Sequence, residues 1–132
     1  LARARELDAE WVVVEGVGGW SVPLGPKIML ADLARAFTGE VVLVVGLRLG
    51  CINHALLTAQ QVRRDGFRLV GWIANDVDPA MDRREENLAT LEQRLSSPLL
   101  ARLPWSESRP ARPRARWFGS MTGVPGGVEE HF

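Results

Sequence analysis

Two nearly unbroken apolar runs constrain this chain most: Val41–Val45, read VVLVV, and Leu69–Ala74, read LVGWIA. Neither alternates polar with apolar residues, so neither suits a strand with one wet face; such runs suit strands of a parallel sheet buried on both faces. Between them Ile52, Ala55, Leu56, Ala59 and Val62 recur at helical spacing, while Gln60, Arg63 and Arg64 face away. Gly66 follows as a stop signal. The same alternation extends on both sides. Further strands are expected at Trp11–Val14 and Leu99–Leu103, and helices at Met29–Phe37, Ile52–Asp65 and Asp82–Leu95. Strand, helix and strand in that rhythm predict an α/β fold with a parallel sheet and flanking helices.

Composition narrows the function classes. The 132 residues carry 16 basic and 16 acidic side chains, so no global field recruits nucleic acid or an anionic membrane. No apolar run approaches the roughly 20 residues of a membrane span. The single cysteine, Cys51, has no internal partner for a disulfide, which fits a reducing, cytoplasmic setting. The chain opens on Leu1 in what reads as the tail of a helix already under way, as a fragment would. Residues 1–108 form the expected globular part. Residues 109–132 include RPARPRAR and TGVPGG, which have no periodic face to bury, and are expected to be a largely disordered tail. An acidic-partner or nucleic-acid arm is the functional alternative to a simple solvated tail.

Ligands of open parallel sheets bind beyond the carboxyl ends of the strands, so the residues after each run are the place to search. Glu15 follows the first run and leads into Gly16, Val17, Gly18 and Gly19. A carboxylate there suits Mg²⁺ shared with nucleotide phosphates, and glycines permit close backbone approach to an anion. A plain strand-to-loop turn with a solvated Glu15 is the alternative. After the third run come Asn75 and Asp76. The Asn75 amide offers a donor beside an acceptor, matching the N6/N7 edge of adenine. An Asn-Asp turn bonded to its own backbone explains the same pair.

After the second run, Leu49, Gly50, Cys51, Ile52 and Asn53 precede His54. With one Cys and one distant His131, too few ligands exist for a zinc site. The free amides of a helix N-terminus would hold a carboxylate; Asn53 capping the helix is the structural alternative. The fourth run leads into Pro104, Trp105 and Ser106. A phosphate-cradling P-loop requires Gly-Lys followed by Ser or Thr. The only lysine, Lys27, sits in Gly-Pro-Lys-Ile, so these 132 residues contain no such loop.

Taken together, VEGVGGWSVPL (14–24), VVGLRLGCINHALLTAQ (44–60), GWIANDV (71–77) and PLLARLPW (98–105) resemble dethiobiotin synthase in order and spacing. GCINHALLT is the most specific of these elements. The resemblance implies a cytoplasmic, homodimeric α/β enzyme of the SIMIBI P-loop class. Such an enzyme uses ATP and Mg²⁺ to join CO₂ to 7,8-diaminononanoate, closing the ureido ring of dethiobiotin in biotin biosynthesis. It further implies that Glu15 is a Mg²⁺ ligand, with Gly16, Val17 and Gly18 lining the nucleotide phosphates. Asn75 and Asp76 would meet the adenine, and Pro104, Trp105 and Ser106 would flank it. Leu49, Gly50, Cys51, Ile52 and Asn53 would reach the substrate's carboxylate tail across the dimer interface. The family's N-terminal region, with its P-loop and catalytic lysines, has no counterpart in these residues, so the 132-residue chain alone is expected to be inactive. Another SIMIBI ATPase, of the cobyrinate-amidase or partitioning type, and a non-catalytic piece retaining a dimerisation surface are the competing expectations.

Overall fold

The computed structural model describes residues 13–16, 18–37 and 40–106, together with the strand pairing of Arg116 and Trp117. A two-stranded antiparallel hairpin, β1 (Pro23–Gly25) and β2 (Ile28–Met29), leads into the short helix α1 (Leu30–Ala34). The Asp32 carboxylate accepts the Met29 N–H at 2.9 Å, closing the helix start. Then follow β3 (Glu40–Leu47), α2 (Cys51–Arg64), β4 (Arg68–Asp76), α3 (Arg84–Arg94) and β5 (Leu99–Leu103). The sheet order is β3-β4-β5, all parallel, with β6 (Arg116–Trp117) antiparallel on the far edge of β5. The expected parallel α/β architecture is therefore present. Of the expected tail, Arg116 and Trp117 pair with Arg102 and Ala101; its other residues lie outside the described set.

Glycine geometry marks both ends of α2. Gly50, at φ 88°, turns the chain from β3 into the helix, and Gly66, at φ 85°, turns it out again toward β4. Left-handed backbone at these two positions is cheap only without a Cβ. The helix is capped by Gly50 with no side-chain hydrogen bond, and Asn53 lies inside the first turn. The reading of Asn53 as the helix cap is thus corrected: the glycine ends the loop three residues earlier.

Helix α2 packs on β3 and β4 and against α3. Between helices and sheet lie Leu47, Val62, Trp72, Ala74, Leu91 and Leu95, all fully buried. Burial of large apolar side chains at about 1.5–3 kcal/mol each makes this layer the main source of stability. Arg63 ties the helix layer together, donating to the Leu95 carbonyl.

Two sequence expectations need correction. Trp11 and Val12 lie outside the described residues, and Val13 and Val14 form no strand; they are 90% and 49% exposed. Their β-branched side chains favour extended backbone, but a strand also needs a neighbour for its amides and carbonyls, and among the described residues none is paired with them. Similarly, β3 is not buried on both faces: Val42 and Val44 are 40% and 57% exposed. Among the described residues β3 is the edge strand, and both long helices cover the other face.

Candidate nucleotide-binding site

The carboxyl ends of three parallel strands bring most of the expected site residues side by side. Asn75 pairs in register with Gly46 on β3 and Leu103 on β5, and Asp76 pairs with Leu47. Pro104, Trp105 and Ser106 continue from β5 and are exposed, Trp105 by 45%. On the β3 side, Leu49 stands 96% exposed in the turn, while Cys51 is buried beneath the first turn of α2. The amides of Ile52 and Asn53 belong to that first turn, where N–H groups lack intrahelical acceptors. Asn75 is half-buried, so its amide is held by the strand yet reachable from outside.

Side chains alternate along a strand, which sends Asn75 and Asp76 to opposite faces. Asp76 is in phase with Trp72 and Ala74 and is the one buried charged residue among those described. Its Oδ2 lies 3.4 Å from Arg102 Nη2 and 3.9 Å from Arg84 Nη1. Its Oδ1 is buried without a hydrogen-bond partner, as is Arg84 Nε. Arg102 also grips Glu85 with two bonds, Nη1 to Oε2 at 2.9 Å and Nη2 to Oε1 at 2.7 Å. Arg84 Nη2 donates to the carbonyls of Asp78 and Pro79, both at 3.0 Å. The Arg102 hydrogen bond holds the Glu85 carboxyl below its ordinary pKa against the opposing cost of desolvation, with lesser help from the charges of Arg102 and Arg84. Reciprocally, bonding to Glu85 raises the Arg102 guanidinium above its ordinary value, with Asp76 assisting.

Sequence reading missed Arg84, Glu85 and Arg102. Arg102 lies 26 positions from Asp76 and 17 from Glu85, so no local spacing announces the group. The usable signal was the alternation: a carboxylate in phase with Trp72 and Ala74 is driven inward and requires a cation.

Glu15 and the glycines behind it lie apart from this network. Glu15 and Gly16 are exposed in irregular backbone, and Val17 is outside the described residues. Among the described residues Glu15 makes no hydrogen bond or ion pair with the strand ends. Gly18 and Gly19, at φ 91° and 106°, run beside α2, where a Cβ on Gly19 would stand 3.6 Å from His54 Nε2. Trp20 anchors the segment: its Nε1 donates to Asp65 Oδ2 at 2.7 Å, and its ring meets Phe67 edge-on at 4.8 Å. Between this segment and α2 lies an open groove of about 400 Å³, lined by Gly19, Ser21, His54, Thr58 and Arg64 among others.

The donors present fit Mg²⁺ in one way only. No three His, Cys, Asp or Glu side chains gather among the described residues. A single carboxylate such as Glu15 suits an ion that arrives with phosphates and keeps several waters, as Mg²⁺ does. Nor is any helix among the described residues long and apolar enough to cross a membrane.

A family described as an AAA domain matches residues 1–111. The ATP-dependent dethiobiotin synthetase BioD of Pseudomonas aeruginosa (strain LESB58) is 58% identical over 106 residues, covering 80% of this chain and 46% of that protein. The protein of the same name from Xanthomonas oryzae pv. oryzae (strain PXO99A) is 56% identical over 109 residues, covering 83% and 49%. That from Xanthomonas campestris pv. campestris (strain 8004) is 57% identical over 105 residues, covering 80% and 46%. The chain spans about half the length of the curated relatives it matches. This chain belongs to the family described as an AAA domain, and over about four-fifths of its length it is similar to proteins named ATP-dependent dethiobiotin synthetase.

Proposed function

We propose that the chain supplies the base-reading and substrate-tail part of a cytoplasmic, homodimeric dethiobiotin synthetase. The reaction is the ATP- and Mg²⁺-dependent carboxylation and ring closure of 7,8-diaminononanoate with CO₂. The observation that carries this reading is the convergence of Asn75 with Gly46 and Leu103 at the carboxyl ends of three parallel strands, where such sheets bind ligands. In this arrangement Asn75 donates to N7 and accepts from N6 of adenine. The Asp76 side chain is buried on the opposite face, so this residue adjoins the base only through the strand-end backbone it shares with Asn75. Pro104, Trp105 and Ser106 flank the base, and Trp105 presents a ring for stacking.

Glu15 would share Mg²⁺ with the phosphates, lined by Gly16, Val17 and Gly18; the ion neutralises phosphate charge. Leu49, Gly50, Cys51, Ile52 and Asn53 would hold the carboxylate tail of 7,8-diaminononanoate bound mainly by the partner subunit, using free amides at the start of α2. One substrate amine adds to CO₂, forming an N–C bond and losing a proton to give a carbamate. The carbamate oxygen takes the γ-phosphoryl group, releasing ADP. The second amine then attacks the carbonyl carbon, and phosphate leaves as the ring closes. Positioning and charge neutralisation dominate such catalysis, and the P-loop that would do this for the phosphates is not among these residues.

The test is a hybrid in which this chain replaces the matching segment of the Pseudomonas aeruginosa relative. Dethiobiotin formed from 7,8-diaminononanoate, CO₂ and ATP is read by mass spectrometry. The hybrid is expected to form product, and the 132-residue chain alone none. A folded hybrid that hydrolyses ATP without forming dethiobiotin would favour a different ATPase of the same class. One that only dimerises would favour a non-catalytic piece.

A further inference from the structure

Behind the proposed base site, on the opposite face of the sheet, stands a charged tie that the reading above does not use. We propose that Arg102 is a positioning residue for base recognition: by bridging Asp76 and Glu85 it fixes the end of β4 bearing Asn75 against the residues that follow β5.

The geometry supports this in three steps. Arg102 pairs with Ala74 in register, so its side chain emerges beside Asp76 and on the same face. Its guanidinium then makes two bonds to Glu85 at the start of α3 and one longer contact to Asp76, linking β5, β4 and α3 through one planar group. Finally, the residues this bridge immobilises adjoin the site: Asn75 precedes Asp76, and Leu103, which pairs with Asn75, follows Arg102. Arg84 extends the tie into the turn after β4 through the Asp78 and Pro79 carbonyls.

Solvent exposure separates the components. Glu85 is 68% exposed in its side chain, whereas Asp76 is 4% and Arg102 22%. The Glu85 contact alone would be a weak surface pair. The buried Asp76 gives the bridge its consequence: without Arg102 this carboxylate keeps only Arg84, whose Nη1 stands 3.9 Å away, and it must move toward that cation or find another partner. Its Oδ1 is already without one. Loss of Arg102 therefore displaces Asp76, and with it the strand end that carries Asn75. A lysine, with a point charge in place of a fork, cannot hold both carboxylates in this geometry.

This inference rests on Asn75 being the base contact, and the test separates the two claims. The full 132-residue chain is titrated with ATP and with GTP, as are Asn75→Ala, Arg102→Leu, Arg102→Lys and Glu85→Gln. Amide hydrogen exchange is followed without nucleotide at 73–77 and 102–106, with 69–70 as the internal control. Arg102→Leu is expected to speed exchange at both strand ends while sparing the control, and to cut the preference for ATP about tenfold, within the range of losing the base contact itself. Arg102→Lys is expected to behave likewise, and full restoration by lysine would overturn the bridge. If Asn75→Ala abolishes the preference while Arg102→Leu changes neither exchange nor preference, the positioning role is refuted and the base contact stands. If Asn75→Ala changes nothing, or the unaltered chain shows no ATP preference, the base reading fails and the role of Arg102 with it. Should Arg102→Leu not fold, Glu85→Gln decides: a smaller shift in the same direction supports the bridge, and an unchanged preference refutes it.

Discussion

The two faces of the parallel sheet differ sharply. On the helix-covered face Leu47, Trp72 and Ala74 are fully buried, matched from above by Val62, Leu91 and Leu95. On the other face Val42 and Val44 are 40% and 57% exposed, and Ile73 and Asn75 are only half-buried. Along β3 burial alternates residue by residue, although the sequence carries no polar side chain from Val41 to Leu47. An apolar run records which faces a strand is able to bury; neighbouring elements decide which faces it does bury. The proposed base contact lies on the open face, and the charged tie that backs it lies on the covered one. In the proposed arrangement the site depends on both, the first for access and the second for rigidity.

Substitutions that probe this contrast should fall in a clear order. Trp72→Ala, which empties the centre of the covered face, should cost about 3–5 kcal/mol of stability in chemical denaturation. A comparable loss from Val44→Ala would show that the two faces are equally packed. Next, Asn75→Ala should leave the melt nearly unchanged but remove about 1–3 kcal/mol of preference for adenine over guanine nucleotides in binding titrations.

A smaller effect is expected from Glu85, whose carboxyl is held below its ordinary pKa chiefly by the Arg102 hydrogen bond. Because the folded-state value is depressed, the stabilisation is present above the ordinary value of about 4.3. It is lost as pH falls through the folded value. Denaturation midpoints should therefore show an acid-side decline that Glu85→Gln flattens only slightly, since Glu85 is mostly exposed. The smallest change is expected from Val44→Thr, within about 0.5 kcal/mol, because more than half of Val44 is already in water. A larger loss would mean that further chain or a partner covers the open face.

How far the sequence could be read follows the same division. The residues of β5 match the expected Leu99–Leu103, and α2 is displaced by one residue from the expected Ile52–Asp65. Both are elements whose periodicity is local and whose ends carry glycine or proline signals. The expected helix at Met29–Phe37 shortens to Leu30–Ala34 because Met29 belongs to a hairpin. The turn between β1 and β2 was not anticipated from Gly25-Pro26-Lys27. At the site, Asn75, Asp76 and Pro104 were recognisable because strand ends are visible in the pattern. The Arg84, Glu85 and Arg102 group was not, since only the fold brings those positions to Asp76. Glu15 was placed by assuming a strand before it. Val13 and Val14 form none, so its metal role rests on the family resemblance alone.

The most direct test of the nucleotide reading is to map where an adenine nucleotide touches the chain, by following amide chemical shifts during titration with ATP. The largest shifts are predicted at Gly46, Asn75, Asp76, Leu103, Trp105 and Ser106, lost in Asn75→Ala. Shifts confined instead to Gly19, Ser21, His54, Thr58 and Arg64, along the groove beside α2, would contradict a base site at the carboxyl edge of the sheet.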